Sequence, residues 1–510
     1  MENTDRSERK KSVLGAIAAS KLSEMLKNID ISSIKEANGG YNARARITAL
    51  FDMGTFAETG AYIARSDVED EPGAVFSSVI TGYGAVGGRL VYAFVQDNAR
   101  MRGAFDSVAA GKIVELIRLA IRNGAPIVGI FDSNGASVYE GSRVLAAYGE
   151  VMRQFEAARG ILPTVALIPG ICGGGMATLA ASFDIKLAVR GQGEFYVVPP
   201  FVGGDGKPAD DPLEDICDIV VDDEDELYLR TRALLSYLPS NCNEGSRVSD
   251  MPVLDRPLPP EILYALGQAA PKDGTVVPSG RRLISALSDD DNVIFLGGNT
   301  PELSVGLAYI GGVVCCLAAN EPSARGGVIT RAVCQRLAHI TCFCDNFGIP
   351  LITLVDSDGA DREDRDPAAY AVALSELYRA MAVSENAQIS VILGHAYGIG
   401  FTLMASRSVG GDIALALPAA CISPMSPEAS VAFVWNDRIC ANDVTVSREE
   451  LEAKWQSELA SPADAAMRGQ IDDIIEPREL RARITSAVMM LAAKSRVRPR
   501  PVGREGRRQR

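Results

Sequence analysis

Apolar residues alternate with small or polar ones through "VITGYGAVGGRLVYAFVQD" at 79–97, and again through "LSVGLAYIGGVVCCLAANE" at 303–321. Period-two runs on either side of Gly87-Gly88 and Gly311-Gly312 predict hairpins with tight turns. The period then lengthens. "SVAAGKIVELIRLAIRNG" at 107–124 keeps Ile113, Leu116, Ile117 and Ala120 on one helical face, and "ITRAVCQRLAHITCFCDNFG" at 329–348 does the same with Val333, Leu337 and Ile340. Each stretch ends in Gly with Pro126 or Pro350 close behind, a normal helix stop.

A buried-strand pattern follows each helix, "APIVGIF" or "IPLITLV", and runs directly into the turn "DSNGA" or "DSDGA". A second helix and a second apolar strand come next, "TVALIPG" or "ISVILGH". These end in Gly-rich corners, "ICGGGMATLAAS" at 171–182 and "AYGIGFTLMASR" at 396–407. The hairpin turns and the stretches "FDSNGA" and "VDSDGA" recur 224 positions apart; aligning Gly173 with Gly398 gives 225 for the corners. The pattern predicts a duplicated α/β domain.

The expected organisation is a helical N-terminal extension at 1–45 and a first domain at 46–235. A linker at 236–275, Pro-rich in "MPVLDRPLPPEI", leads to a second domain at 276–494 that closes on a helix at 477–494. The chain ends in a basic, disordered tail at 495–510. The 510 residues, 47% apolar and 23% charged, suit a soluble protein of two or more domains. Apolar runs fall short of the roughly 20 residues a membrane helix needs. Acids among the N-terminal basic residues argue against a secretory signal, so a cytoplasmic protein is expected. A net charge of −14 argues against a nucleic-acid surface. Ten scattered Cys without CxxC pairs read as reduced core thiols.

The chemistry lies in the turns and corners. Each places backbone N–H groups where a buried strand ends, and each corner opens a helix, whose first N–H groups are unpaired and partly positive. A turn and a corner from adjacent strands can aim two donors at one oxygen, an oxyanion hole. Side-chain catalysis fares worse. "GYGAVG" at 82–87 precedes a strand, not the helix of a dinucleotide fold. There is no phosphate-binding GxxxxGK[ST] loop and no GxSxG elbow. With only His339 and His395 present, neither a His-based triad nor a metal site is expected. His339 lies near an apolar helix face; His395 opens the second corner and is the better candidate for a functional contact. Asp132 and Asp356 begin the matched turns and read as turn or capping residues before general bases.

"NARARITALFDMGTFAE", "TGYGAVGG", "DSNGASVYEG", "YGEVMRQ", "LLSYLPSN", "CDNFGIPLITLVD", "AYGIGFTLMAS" and "RGQIDDIIEP" occur in this order. As a set they resemble the carboxyltransferase subunit of biotin-dependent acyl-CoA carboxylases, the family of the propionyl-CoA carboxylase β-chain and the methylmalonyl-CoA decarboxylase α-chain. The resemblance spans about residues 42–492 and implies two tandem crotonase-like domains of the ClpP/crotonase type, built from ββα repeats. It implies carboxyl transfer between carboxybiotin and the α-carbon of a short acyl-CoA, propionyl-CoA or methylmalonyl-CoA, through enolates held in oxyanion holes. The first hole would use the N–H groups of Ala136 and Gly174 for the thioester oxygen. The second would use Ala360 with Ile399 or Gly400 for the biotin ureido oxygen. Gly135, Gly173 and Gly175, and Gly359, Tyr397 and Gly398, would line the two ligands. Implied partners are a biotin carboxylase and a biotin carboxyl carrier protein, or a membrane decarboxylase subunit, with a trimer-based homo-oligomer, a hexamer.

Four departures stand out. Asn134 replaces a Gly of the family's "DSGGA". The second turn runs into "GADREDRDPAAY", with four acids and two Arg at 361–366, in place of an apolar Pro-Gly-Phe segment. Ile399 replaces a Gly. A Gly-Gly…His element after "FYVVPPF" is missing. Two rivals remain at this stage. One is a CoA-thioester hydrolase or isomerase of the same fold, for which Glu140 is the nearest carboxylate. The other is a non-catalytic paralogue within a hetero-oligomeric carboxylase.

Overall fold

The computed structural model describes residues 41–63, 77–199, 212–254, 256–267, 278–290, 292–436, 447–492 and 494. The expected extension up to residue 40, the tail 495–510 and the linker's residues 255 and 268–275 lie outside them. The chain divides into two compact units at Ser236/Tyr237. The helix Ala43–Leu50 straddles the boundary drawn at residue 45.

In the first unit the strands are β1 (Ala57–Thr59), β2 (Val79–Val86), β3 (Arg89–Gln96), β4 (Ile127–Ile130), β5 (Thr164–Ile168), β6 (Ile171–Gly173), β7 (Ile185–Val189), β8 (Glu194–Tyr196) and β9 (Ile219–Val221). Seven form one sheet in the order β1-β2-β3-β4-β5-β7-β9, antiparallel through the β2–β3 hairpin and parallel from β3 onward. β6 and β8 pair separately in parallel.

The second unit holds β10 (Ile294–Leu296), β11 (Leu303–Ile310), β12 (Val313–Asn320), β13 (Leu351–Ser357), β14 (Gln388–Tyr397), β15 (Ile413–Ala416), β16 (Cys421–Ser423) and β17 (Asp473–Ile474). Its sheet repeats the scheme, β10-β11-β12-β13-β14-β15-β17, with β16 added to the far end of β14. β14 is therefore β5 and β6 run together as one strand.

Both hairpins turn on two glycines in the left-handed region, Gly87 and Gly88 (φ 57° and 75°) and Gly311 and Gly312 (φ 60° and 82°). Each turn is clamped by a carboxylate that accepts both glycine N–H groups. Asp52 does this in the first unit and is paired with Arg232. Asp289 does it in the second and is paired with Arg481.

The long helices begin and end where the pattern placed them. Ser107–Asn123 is capped by Asp106 and stopped by left-handed Gly124; Arg331–Phe347 is capped by Thr330 and stopped by Gly348. Their predicted apolar faces are buried. Each helix packs against its successor, Ser142–Glu156 or Pro367–Val383.

One correction follows from the strand registers. β6 ends at Gly173 and β14 at Tyr397, so the residue that caps the next helix is Gly174 in one unit and Gly398 in the other. The spacing is 224 there too. The expected slip to 225 came from aligning Gly173 with Gly398.

Candidate active site

Three pieces meet in each unit: the turn after the first parallel strand, the corner after the second, and the loop entering the long helix. The loop is strained. Met101, Arg102 and Arg325 (φ 50°, 52° and 53°) are the non-glycine residues with positive φ among those described. Such backbone costs of order 1–3 kcal/mol and collects at functional sites. Here it lets Gly103 and Gly327 press on the turn. A Cβ on Gly103 would fall 2.0 Å from the Asp132 carbonyl oxygen, and one on Gly327 would fall 2.5 Å from that of Asp356.

Each turn is tied to its corner by its aspartate. Asp132 Oδ1 accepts the N–H of Ile171 (3.3 Å) and the amide of Asn98 (2.7 Å), while Oδ2 meets Arg46 at 2.6 Å. Asp356 Oδ1 accepts the N–H of His395 at 2.8 Å. Burial raises Asp356 above the ordinary carboxylate range, against the pull of that N–H. Ser133 and Ser357 accept the N–H of Gly135 and Gly359, each at 3.1 Å. Asp132 and Asp356 are thus struts rather than bases.

The corner requires a second correction. Gly174 has φ 63° and donates its N–H to the Tyr196 carbonyl at 2.9 Å, the last rung of β6–β8. Gly398, φ 48°, donates to Ser423 at 3.0 Å in the same way. The predicted donor Gly174 is occupied, because the strand ladder runs one residue past the last strand residue. The first open N–H belongs to the next residue, Gly175 or Ile399, which begins the helix Gly175–Ala181 or Ile399–Met404. Gly400 is the second residue of its helix and is buried. On the turns, Ala136 and Ala360 are exposed. Each has a bridge partner whose bonds bypass its own N–H: Phe105 bonds the backbone of Gly135 and Ser137, and Ile329 donates to the Gly359 carbonyl while Asp361 donates to the Tyr370 hydroxyl. Gly135 and Gly174 touch: a Cβ on Gly174 would lie 3.7 Å from the Gly135 Cα. Each unit therefore sets an open turn N–H, Ala136 or Ala360, beside an open helix N–H, Gly175 or Ile399.

Beyond the backbone the two units differ. At the first corner Asn134 Oδ1, Ser137 Oγ and Tyr148 Oη are buried polar atoms without a protein partner. Each such atom costs about 1–3 kcal/mol unless something bonds to it, so this corner is built for a polar ligand or water. The Tyr148 ring lies against Gly175, where a Cβ would fall 2.6 Å from it, and stacks on Phe105 at 4.3 Å. Burial raises its hydroxyl pKa far above normal, so it stays a donor. Glu140, the hydrolase candidate, has both oxygens bonded to Ser107, at 2.8 Å each.

The second corner is charged. Arg325 binds Asp361 (2.5 Å), Glu363 (2.9 Å) and Glu302 (3.5 Å), Arg331 binds Asp364 (2.7 Å), and Asp366 caps the helix Pro367–Val383. The acidic run is thus tied back by two arginines outside it. His395 Nδ1 lies 2.8 Å from Asp358 Oδ1. Tyr397, expected to touch ligand, is buried with its hydroxyl on Cys421 and its ring under His395.

Arg46, Gly103, Tyr148 and Asp358 were not singled out from the sequence. The 224-residue offset would have flagged Gly103 through Gly327; the others carry no such signal.

Comparison with known proteins identifies the family. The family described as the carboxyl transferase domain matches residues 35–202 and 215–505. The chain is 30% identical over 487 residues to a putative propionyl-CoA carboxylase beta chain of Bacillus subtilis, covering 91% of this chain and 92% of that one. It is 28% identical over 493 residues to methylmalonyl-CoA decarboxylase subunit alpha of Veillonella parvula, covering 90% and 92%. The crystal structure of the transcarboxylase 12S hexamer with methylmalonyl-coenzyme A and methylmalonic acid bound superposes with a TM-score of 0.84 at 27% identity, covering 95% of this chain and 97% of that one.

Proposed function

The chain belongs to the carboxyl transferase family, and we propose that it moves a carboxyl group between carboxybiotin and the α-carbon of propionyl-CoA or methylmalonyl-CoA at its two matched corners. Both units have the crotonase-like fold. In this reading the first domain, 46–235, takes the acyl-CoA, and the second, 276–494, takes the biotin of a partner protein. Carboxybiotin supplies the activated carboxyl group. The protein supplies N–H donors where negative oxygen develops, Ala136 with Gly175 for the thioester and Ala360 with Ile399 for the ureido group. Preorganised donors of this kind are the largest single contribution in many enzymes.

One observation carries the reading. Each unit leaves a turn N–H and a helix N–H open side by side, while Asp132 and Glu140 of the first corner are engaged elsewhere. A hydrolase would need one of those carboxylates free. The unpartnered Asn134, Ser137 and Tyr148 groups suit a polar acyl-CoA at the first corner.

The relatives named above are a carboxylase chain, a decarboxylase subunit and a hexameric transcarboxylase 12S core. The partners in this reading are a biotin carboxylase with a carrier protein, or a membrane decarboxylase subunit, and the assembly is a trimer-based hexamer in the cytoplasm. Among the described residues no helix is long and apolar enough to cross a membrane.

The test is carboxyl exchange from free N-carboxybiotin to a panel of acyl-CoAs. Propionyl-CoA should be carboxylated with little thioester hydrolysis. Hydrolysis without transfer would replace this reading with the hydrolase, and inactivity toward the whole panel would replace it with the structural paralogue.

A further inference from the structure

The loop entering the first long helix carries an arginine where its counterpart carries none. Arg102 stands 224 residues before Gly326, and Asn134 stands 224 before Asp358. The backbone course is shared. Arg102 and Gly326 both lie in the left-handed region (φ 52° and 71°). The Asn134 N–H donates to the Arg102 carbonyl at 3.2 Å, as the Asp358 N–H does to that of Gly326 at 3.0 Å. A Cβ on Gly326 would fall 2.2 Å from Asp358 Oδ2, so the Arg102 side chain leaves its loop toward the side chain of Asn134. Left-handed backbone suits glycine and strains any other residue. An arginine kept there points to a use for its side chain. Arg102 is exposed, and among the described residues its guanidinium has no hydrogen-bond or ion-pair partner. In the second unit the loop's Arg325 is instead bound to Asp361, Glu363 and Glu302.

Three unpartnered polar atoms gather on the same loop. Asn134 is the residue bonded to Arg102. Ser137 donates its N–H to the Phe105 carbonyl at 2.8 Å, and Tyr148 stacks on Phe105 at 4.3 Å. Asn134 Oδ1, Ser137 Oγ and Tyr148 Oη are buried without a protein partner, and Ser137 is only 3% exposed. The two hydroxyls can donate, and a half-turn of the carboxamide puts its NH2 where Oδ1 stands. Asp132 and Glu140 do not compete for these donors, being held by Arg46, Asn98 and Ser107. A guanidinium fork with hydroxyl donors beside it is a donor set for a carboxylate. Position says which carboxylate. Asn134 and Ala136 are two residues apart, so their Cα atoms lie within about 8 Å. Arg102 therefore serves the acyl group whose thioester oxygen meets Ala136, not the phosphates at the far end of the pantetheine arm.

We propose that Arg102, with Asn134, Ser137 and Tyr148, is a carboxylate site beside the first hole, so that the acyl group bound there carries a carboxylate; this rests on the function proposed above. That carboxylate has two sources. One is the α-carboxyl group that is transferred, as in methylmalonyl-CoA. The other is a carboxylate further along the acyl chain, as in its isomer succinyl-CoA. The site binds and orients. No proton moves and no bond forms at it, so the chemistry at the α-carbon is unaltered.

Titration calorimetry of the full chain with propionyl-CoA, methylmalonyl-CoA and succinyl-CoA tests the site. Wild type should bind one or both carboxylated thioesters more tightly than propionyl-CoA. R102G should weaken that binding about 10- to 100-fold, the contribution of a charged hydrogen bond, and the loss should not extend to propionyl-CoA. R102G should also melt no lower than wild type, because glycine relieves the left-handed residue. An arginine with a merely structural role would lower the melting temperature and weaken all three thioesters alike. R102K keeps the charge without the fork and should fall between. A loss confined to methylmalonyl-CoA assigns the α-carboxyl group, and one confined to succinyl-CoA assigns the distal carboxylate; either supports the site. Equal affinity of wild type for all three thioesters, or an R102G loss as large for propionyl-CoA as for the others, would overturn it. If wild type moves no carboxyl group from N-carboxybiotin to propionyl-CoA, the functional reading fails; the three affinities still judge Arg102.

Discussion

The carboxylate of Asp356 lies against the Cα of Gly394, so that a Cβ on that glycine would fall 2.6 Å from Oδ1. Asp132 and Gly170 stand in the same relationship at 2.5 Å. The aspartate of each turn thus occupies the space that a side chain on the adjoining strand would fill, and it sets the turn at a fixed height above the corner.

Neither glycine has positive φ, so alanine would be tolerated by the backbone and rejected only by the carboxylate. Gly394→Ala and Gly170→Ala are expected to destabilise by about 1–3 kcal/mol, the range for an overpacked site. They should also cut carboxyl transfer more than a control of equal stability loss. Thermal melts with parallel rate measurements check this. Activity tracking stability alone would mean that the aspartates only pack.

The open N–H at the second corner can be removed while its helix is kept. Ile399 is the first helical residue, the position that accepts proline best. Ile399→Pro should lower carboxyl transfer by about 100-fold, the cost of one oxyanion donor, with little change in melting temperature. Ile399→Ala retains the N–H and should stay within a few-fold of wild type. Equal loss in both variants would show that the Ile side chain, not the backbone donor, matters.

Much of this was legible in the sequence. Strand period, helix period and glycine stops located the hairpins, the long helices and both turns, because those features are local. At the first corner the expected donor, Gly174, lies one residue before the open N–H of Gly175, whereas Ile399, one of the two expected at the second corner, is itself the open one. Only the strand pairing reveals that Gly174 and Gly398 each complete a ladder, and pairing with Tyr196 or Ser423 is not a local property. Arg46 and Tyr148 were missed for a similar reason: a buried ion pair 86 residues apart and a ring laid on Gly175 leave no periodic trace. The pairing of the acidic run was not legible either, because its partners, Arg325 and Arg331, lie more than 30 residues upstream.

Asp356 offers a pH test with a definite sign. Its folded pKa is raised by burial, so from about pH 4 upward the native state binds more protons than the unfolded one. Stability must then fall as pH rises through that window. Asp356→Asn keeps an acceptor for the His395 N–H and removes the titration. Urea midpoints between pH 4 and 7 should flatten in the variant, with stability at pH 7 equal to or above wild type. Parallel curves would count against a raised Asp356.

The two hairpin clamps supply a matched comparison. Asp52 and Asp289 each hold both glycine N–H groups of their turn, but Asp289 and Arg481 are buried whereas Asp52 and Arg232 are partly exposed. Removing one partner of a buried pair strands the other charge and costs about 3–5 kcal/mol. Exposed pairs contribute about 0–1 kcal/mol. Asp289→Ala should therefore destabilise several-fold more than Asp52→Ala, although the local contacts are alike. Asp52 is also held below the ordinary carboxylate range, chiefly by the Gly88 N–H and Arg232. Its contribution is present above that range and is lost as pH falls through the lowered value. Asp52→Ala should thus matter at neutral pH and vanish in strong acid. Chemical denaturation of the two variants at neutral and acid pH decides the point, and equal costs for both would mean that the turn hydrogen bonds, not the burial of the ion pair, set the energy.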